Sequence, residues 1–131
     1  MKVFFDENLS PALAKAMCAL FAGEHEVIHI RERFGPSVTD REWIEDMSVD
    51  GRWIVISGDR RISKSRATQS AFRSSRLIGF FLAPALNAAR VTIQMQRLLA
   101  LWDDIEAISK SVAGGAMYEA PIKGKLRQLR W

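Results

Sequence analysis

Short apolar runs alternate along the chain with amphipathic segments. Apolar runs occur at residues 2–5, 26–30, 52–57, 76–83 and 116–122, and runs of this length predict buried strands. The intervening segments at residues 9–23, 38–51, 60–74 and 88–111 are predicted to be helices. In the first of them, Leu13, Met17 and Leu20 recur at helical spacing. The pattern therefore predicts strands and helices in alternation.

The ends of two predicted helices carry recognisable capping residues. Ser10 is a good N-cap, and Pro11 suits the first helical position. Thr39 precedes the second helix, and Glu42 follows three residues later, which is the spacing of a capping box. These signals favour helices that begin directly after the first two strands.

Alternation of short apolar strands with helices is typical of a parallel sheet covered on both faces. No Asn-Gly turn that would favour a hairpin occurs in the chain. We therefore predict a three-layer α/β/α fold with a mostly parallel sheet of four to five strands. We predict a single domain over residues 1–131, ending in a short basic tail.

Composition adds limits to this picture. The chain has 131 residues, 48% hydrophobic and 26% charged, which suits one packed core. No apolar run approaches the ~20 residues of a membrane span, and we expect a cytoplasmic protein without a membrane partner. The single cysteine, Cys18, has no partner for a disulfide or zinc site and is expected to be a small buried hydrophobe.

Charge is distributed unevenly along the chain. The formal net charge is +4, yet acidic residues dominate residues 40–50, whereas residues 60–76 and 122–131 are basic. Basic segments of this kind suit a polyanion such as RNA, although a solvated surface is the commoner meaning of scattered cations.

Three carboxylates are predicted to meet at one edge of the sheet. Asp6 follows the first strand, Asp40 begins the helix after the second, and Asp59 follows the third. The carboxyl ends of parallel strands share one edge, which is where ligands bind in such folds. Each acid alone could cap a turn or a helix. Together they would repel one another unless a cation lay between them.

The chemistry of these side chains narrows the choice of cation. Carboxylate oxygens without histidine or thiolate suit Mg²⁺ or Mn²⁺. Such an ion lowers the pKa of a bound water and neutralises a phosphodiester, as in metal-dependent nucleases. Glu42 lies at the same edge and could assist through a water.

The stretches "MKVFFDENLSPALAKAM", "VTDREW" and "WIVISGDRRIS" resemble the PIN-like domains, in particular the compact PIN-like toxins of type II toxin-antitoxin systems. The resemblance covers roughly residues 1–85. It implies a Mg²⁺- or Mn²⁺-dependent endoribonuclease that cuts RNA and is silenced by a cognate antitoxin protein.

The resemblance also implies roles for individual residues. Asp6, Asp40 and Asp59 match the acidic metal ligands, while Ser57 and Asn8 match a hydroxyl and an amide of the family motifs. After Asp59 the chain continues with "RRIS" where the family often has an acid and an aromatic. A fourth acidic ligand is therefore open, with Glu42 and Glu7 as candidates. We expect the substrate to contact Asn8, Ser57, Arg60, Arg61, Lys64 and Arg66.

Two alternatives remain open from the sequence. A receiver-like phospho-acceptor domain would use "DE" after the first strand, Asp59 and Lys123, but it needs a Ser or Thr where the fourth strand ends "FFLAPAL". A non-catalytic module could instead hold nucleic acid or a protein through the basic segments. The RNA target, the number of metal ions and the oligomeric state, including a homo-oligomer, stay open.

Overall fold

The computed structural model describes residues 1–59, 62 and 65–130. The strands are β1 (Lys2–Phe5), β2 (Glu26–His29), β3 (Trp53–Ser57), β4 (Ile78–Leu82), β5 (Met117–Ala120) and β6 (Arg127–Gln128). The helices are α1 (Pro11–Leu20), α2 (Asp40–Asp50), α3 (Arg66–Arg73), α4 (Pro84–Asn87) and α5 (Val91–Ser111), and a 3₁₀ turn covers Ile30–Glu32.

The strands form one sheet in the order β2-β1-β3-β4-β5-β6. β1 to β5 are parallel, and β6 runs antiparallel to β5. The mostly parallel sheet is thus confirmed, and among the residues described it has one strand more than predicted, because residues of the basic tail pair with β5. From β1 the chain moves outward to β2 and then returns to the other side of β1 as β3. The carboxyl ends of β1 and β3 therefore form a topological switch point.

Two apolar layers sandwich the sheet. On one face, Phe5 and Ile56 pack with α1 and α5, including Leu13 and Leu98. The opposite face packs α2 and α3 against the sheet through a second set of buried residues that includes Phe4, Trp43, Val55, Phe72 and Phe81. Successive residues of a strand point to opposite faces, so these short strands are apolar on both sides. The result is the predicted three-layer α/β/α arrangement.

The helix starts follow the predicted capping residues. The Ser10 side chain accepts a hydrogen bond from the backbone N–H of Ala12 at 3.1 Å. Thr39 Oγ1 accepts from the backbone N–H of Glu42 at 3.2 Å. Because α1 is the helix after β1 and α2 is the helix after β2, these caps place the first turns of α1 and α2 at the carboxyl edge of the sheet.

The prediction that Cys18 is buried is wrong. Its side chain is exposed on α1, because the inward stripe of this helix is made by Leu13, Ala14 and Met17. One residue beyond Met17 turns about 100° away from that stripe. Among the helices described, none is long and apolar enough to cross a membrane.

Candidate active site at the carboxyl edge of the sheet

Asp6 is a buried carboxylate at the end of β1. Its backbone N–H donates to the carbonyl oxygen of Ile56 at 3.0 Å, which extends the pairing of β1 with β3 by one residue. Only 2% of its surface is exposed. Since side chains alternate along a strand, Asp6 points to the same face as Phe4, toward α2 and α3.

Hydrogen bonds connect Asp6 to the end of β3. Asp6 Oδ1 accepts from the backbone N–H of Glu7 at 2.7 Å, and Oδ2 accepts from the hydroxyl of Ser57 at 2.9 Å. The Ser57 oxygen in turn accepts from the backbone N–H of Asp59 at 2.9 Å. Ser57 is fully buried. Among the described contacts, the Ser57 hydroxyl group therefore connects the carboxylate of Asp6 with the backbone of Asp59, across the switch point.

The pKa of Asp6 is raised, chiefly because burial penalises its charged form. The hydrogen bonds from the Glu7 N–H and the Ser57 hydroxyl act in the opposite direction. The negative charges of Asp40 and Asp59 raise the pKa further. The acids that follow three different strands therefore lie close enough to act on one another. In the described chain, no lysine or arginine forms an ion pair with Asp6.

The remaining predicted acids lie at the start of α2 and in the loop after β1. Asp40 Oδ1 accepts from the indole Nε1 of Trp43 at 3.1 Å, which leaves Oδ2 outside that bond. Glu42 is exposed, and its carboxylate has no hydrogen bond or ion pair to the described residues. Glu7 instead pairs with the guanidinium of Arg31. Of the two candidates for a fourth acid, Glu42 is the one without a cationic partner among the residues described.

Two amide side chains crowd the loop between β3 and Asp59. The backbone N–H of Gly58 donates to Asn8 Oδ1 at 3.3 Å. A Cβ on Gly58 would lie 2.0 Å from Asn87 Oδ1 and 2.8 Å from Asn8 Nδ2, so a larger residue there would displace both amide side chains. Asn87, at the end of α4, was not predicted. Its position soon after β4 was the available signal, but an uncharged side chain in "PALN" gave no chemical reason to select it.

The basic side of the site is described only in part. Arg66 is the exposed first residue of α3, which begins at the same edge of the sheet as Asp59. Arg66 and Arg73 help to line a shallow cavity of about 490 Å³ along α3, together with Gln69, Ser70 and Ser74. The predicted substrate contacts Arg60, Arg61 and Lys64 lie outside the described residues.

The sequence model of the PIN-like domain family matches residues 1–84. The chain belongs to the PIN-like domain family. PIN-like domains are commonly nucleases and typically use divalent metal ions, and membership points to a nucleic-acid substrate. Comparison with curated proteins and with solved structures gave no match.

Strand order alone leaves open whether the chain is a PIN-like domain or a receiver-like domain, and membership of the PIN-like family decides for the first. The order of the first five strands also occurs in receiver domains. The family match spans Asp6, Asp40, Asp59 and Arg66. In addition, β4 is followed by Ala83 and Pro84, neither of which supplies the hydroxyl that a receiver domain needs.

The donor chemistry of this PIN-like domain suits a hydrated divalent ion. The described residues contain no group of three or more His, Cys, Asp or Glu side chains close enough to enclose a metal ion. Asp6 is nevertheless a buried carboxylate without a cation among those residues, and two further acids act on it. Mg²⁺ usually keeps several waters and needs only one or two protein carboxylates. Asp6 with Asp40 or Asp59 would be sufficient to hold such an ion.

Proposed function

We propose that the protein is a Mg²⁺- or Mn²⁺-dependent endoribonuclease that acts in the cytoplasm as the toxin of a toxin-antitoxin pair. One observation carries the proposal. At the switch point of a PIN-like fold, a buried aspartate with a raised pKa lies beside two further acids and has no described cationic partner. An acid in this state destabilises the fold, which is expected of a group kept for binding a cation.

In this proposal, the residues at the carboxyl edge of the sheet have different roles. Asp6 together with Asp40 or Asp59 would hold the ion, which when bound supplies a water of lowered pKa and neutralises charge on the phosphate. The Ser57 hydroxyl and the Glu7 N–H keep the two oxygens of Asp6 in fixed directions. The exposed carboxylate of Glu42 would accept a hydrogen bond from the attacking water.

Polar and basic side chains around the acids would bind the RNA. The amide of Asn8 lies against Gly58, next to Asp59, and Asn87 lies on the same glycine. Arg66 would contact the phosphate backbone, joined by Arg60, Arg61 and Lys64 from the same stretch of sequence. Contacts with phosphate supply affinity without sequence preference.

Cleavage of RNA with and without metal tests the proposed activity. We expect the wild type to cut RNA with Mg²⁺ or Mn²⁺, to stop in EDTA and to recover when metal is restored. Asp6→Asn should lose more than the roughly 10- to 100-fold that loss of a supporting group costs, because it removes a ligand itself. Its circular dichroism spectrum should stay unchanged. Asp50→Asn, a carboxylate at the opposite edge of the sheet, is the matched control and should cut normally.

Two outcomes would contradict the nuclease assignment. Cleavage that persists in EDTA, or an Asp6→Asn variant with full activity, would remove the metal site from the mechanism. Salt-dependent RNA binding with no cleavage under any metal condition would instead favour the non-catalytic binding module.

The toxin assignment predicts a protein partner that covers the acidic edge. An antitoxin segment that inserts an arginine among Asp6, Asp40 and Asp59 would satisfy their charge with strong hydrogen bonds. We expect overexpression of the isolated gene to arrest growth and co-expression of the adjacent open reading frame to restore it. A product that is active in vitro but harmless when overexpressed would favour a housekeeping nuclease.

A further inference from the structure

His29 connects the end of β2 to the loop that follows β1. It is the last residue of β2 and is 3% exposed. Its ring Nε2 lies 2.9 Å from the carbonyl oxygen of Leu9, and its Nδ1 lies 3.2 Å from the backbone nitrogen of Arg31. A carbonyl only accepts and a backbone N–H only donates. The ring therefore carries its hydrogen on Nε2, donates it to Leu9 and accepts from Arg31 at Nδ1.

The Leu9 carbonyl belongs to the turn that shapes the acidic edge. The backbone N–H of Leu9 donates to the carbonyl oxygen of Asp6 at 3.1 Å, which closes a turn over residues 6–9. Inside that turn, the Glu7 N–H donates to Asp6 Oδ1. Leu9 is 2% exposed, so its carbonyl would be left without a partner if His29 were removed. A buried unsatisfied acceptor costs free energy, which would favour rearrangement of the turn.

A second link between the same two loops is weaker. Arg31 forms an ion pair with Glu7, but 38% and 44% of the two side chains are exposed. Ion pairs this exposed contribute little, because water and salt screen them. Of these two described links between the β2 end and the turn that carries Asn8, the His29 bond to Leu9 is the buried one.

We propose that His29 is a positioning residue of the PIN-like site. Its Nε2–H bond to Leu9 holds the turn over residues 6–9 so that the Glu7 N–H fixes Asp6 Oδ1. This inference rests on the proposed ribonuclease function, although the hold on the turn can be measured without any activity.

Two conservative substitutions separate the two bonds of the His29 ring. In His29→Asn, the short amide can replace Nδ1 as the acceptor for the Arg31 N–H and so keeps the cap of the 3₁₀ turn, but it does not reach Leu9. In His29→Gln, the longer amide places an N–H near the position of Nε2 and keeps the bond to Leu9, while the cap is lost. His29→Ala removes both bonds.

Amide hydrogen exchange at Glu7 and Leu9 measures the hold on the turn. We expect faster exchange in His29→Asn and His29→Ala, and exchange near that of the wild type in His29→Gln. For RNA cleavage with Mn²⁺, kcat should fall roughly 10- to 100-fold in His29→Asn with KM little changed. His29→Gln should recover most of that loss. A role limited to stability would follow the cap instead and favour His29→Asn over His29→Gln.

Each result of this comparison decides the inference. Wild-type exchange in His29→Asn, or a turn as open in His29→Gln as in His29→Ala, would overturn it. So would the expected exchange pattern with kcat equal in all variants. If His29→Ala does not fold, the asparagine and glutamine variants still give the answer. If the wild type cuts no RNA, the proposed function fails, and hydrogen exchange alone still decides whether His29 holds the turn.

Discussion

Two aspartates near opposite ends of β1 have pKa values that the fold shifts in opposite directions. Near the start of the strand, Asp50 Oδ2 accepts from the indole of Trp53 at 2.7 Å and from Arg33 at 3.3 Å, and Lys2 lies 3.6 Å away. The Trp53 and Arg33 hydrogen bonds lower the pKa of Asp50. At the far end, burial raises the pKa of Asp6, and the nearby acids add to the effect.

The contrast is between Asp50, whose negative charge stabilises the folded state, and Asp6, whose negative charge destabilises it. Asp50 lies in water with partners that favour its charge, so its ionised form stabilises the folded state. Asp6 is buried with two neutral hydrogen-bond donors and two acidic neighbours, so its ionised form destabilises the folded state. Groups whose pKa values are moved by burial together with specific neighbours cluster at functional sites. The comparison therefore points to the carboxyl edge as the site.

The largest expected difference between the two aspartates is their response to metal. Mn²⁺ at about a hundredfold excess over its dissociation constant should stabilise the wild type by about 2.7 kcal/mol. Asp50→Asn should respond equally, whereas Asp6→Asn and Asp59→Asn should respond much less. Thermal unfolding with and without Mn²⁺ measures the effect. An equal response in all four proteins would show that Asp6 and Asp59 do not share a metal site.

Melting in EDTA as a function of pH should show opposite signs for the two residues. The folded pKa of Asp6 lies above its ordinary value, so stability is lost as pH rises through the folded pKa. Asp6→Asn should therefore melt higher at pH 7, on the order of a few degrees, and the gain should vanish in acid. Asp59→Asn should gain less, because its charge is a smaller cause of the raised pKa than burial.

Asp50 should behave in the reverse way. Its folded pKa is lowered, so its contribution is present at neutral pH and is lost as pH falls through that pKa. Asp50→Asn should melt below the wild type at pH 7, with the difference closing in acid. A lower melting temperature for Asp6→Asn in EDTA at pH 7 would mean that Asp6 is only a structural turn residue.

The smallest predicted effect concerns the basic side of the carboxyl edge. Arg66→Glu should weaken RNA binding and reduce the slope of log affinity against log salt by about 0.7 for each phosphate that the variant no longer neutralises. The double variant Arg61→Glu with Lys64→Glu should reduce it further. Lys110→Glu, at the last turn of α5, changes the charge by the same amount as Arg66→Glu and is the control for that variant. Equal salt slopes for the variants and the control would mean that Arg66, Arg61 and Lys64 belong to an ordinary solvated surface and do not contact RNA.

The sequence by itself determined the local elements and the chemistry of the edge. Alternating apolar runs and capping residues such as Ser10 and Thr39 act over a few neighbours, so they are readable from the chain alone. The carboxyl ends of parallel strands share one edge, and this rule was enough to predict that Asp6, Asp40 and Asp59 lie near one another. Their mutual effect on the pKa of Asp6 agrees with that expectation, while their role as metal ligands stays a prediction.

Only the tertiary structure decided what depends on contacts between distant segments. Strand order and the pairing of Arg127–Gln128 with β5 are set by packing, which leaves little trace in a local pattern. The same holds for the approach of Asn87 to Gly58 and for the His29 bond to Leu9. From the sequence alone, His29 is expected to have only a structural or surface role. Its ring acquires a role only when folding brings a carbonyl 20 residues away within 2.9 Å.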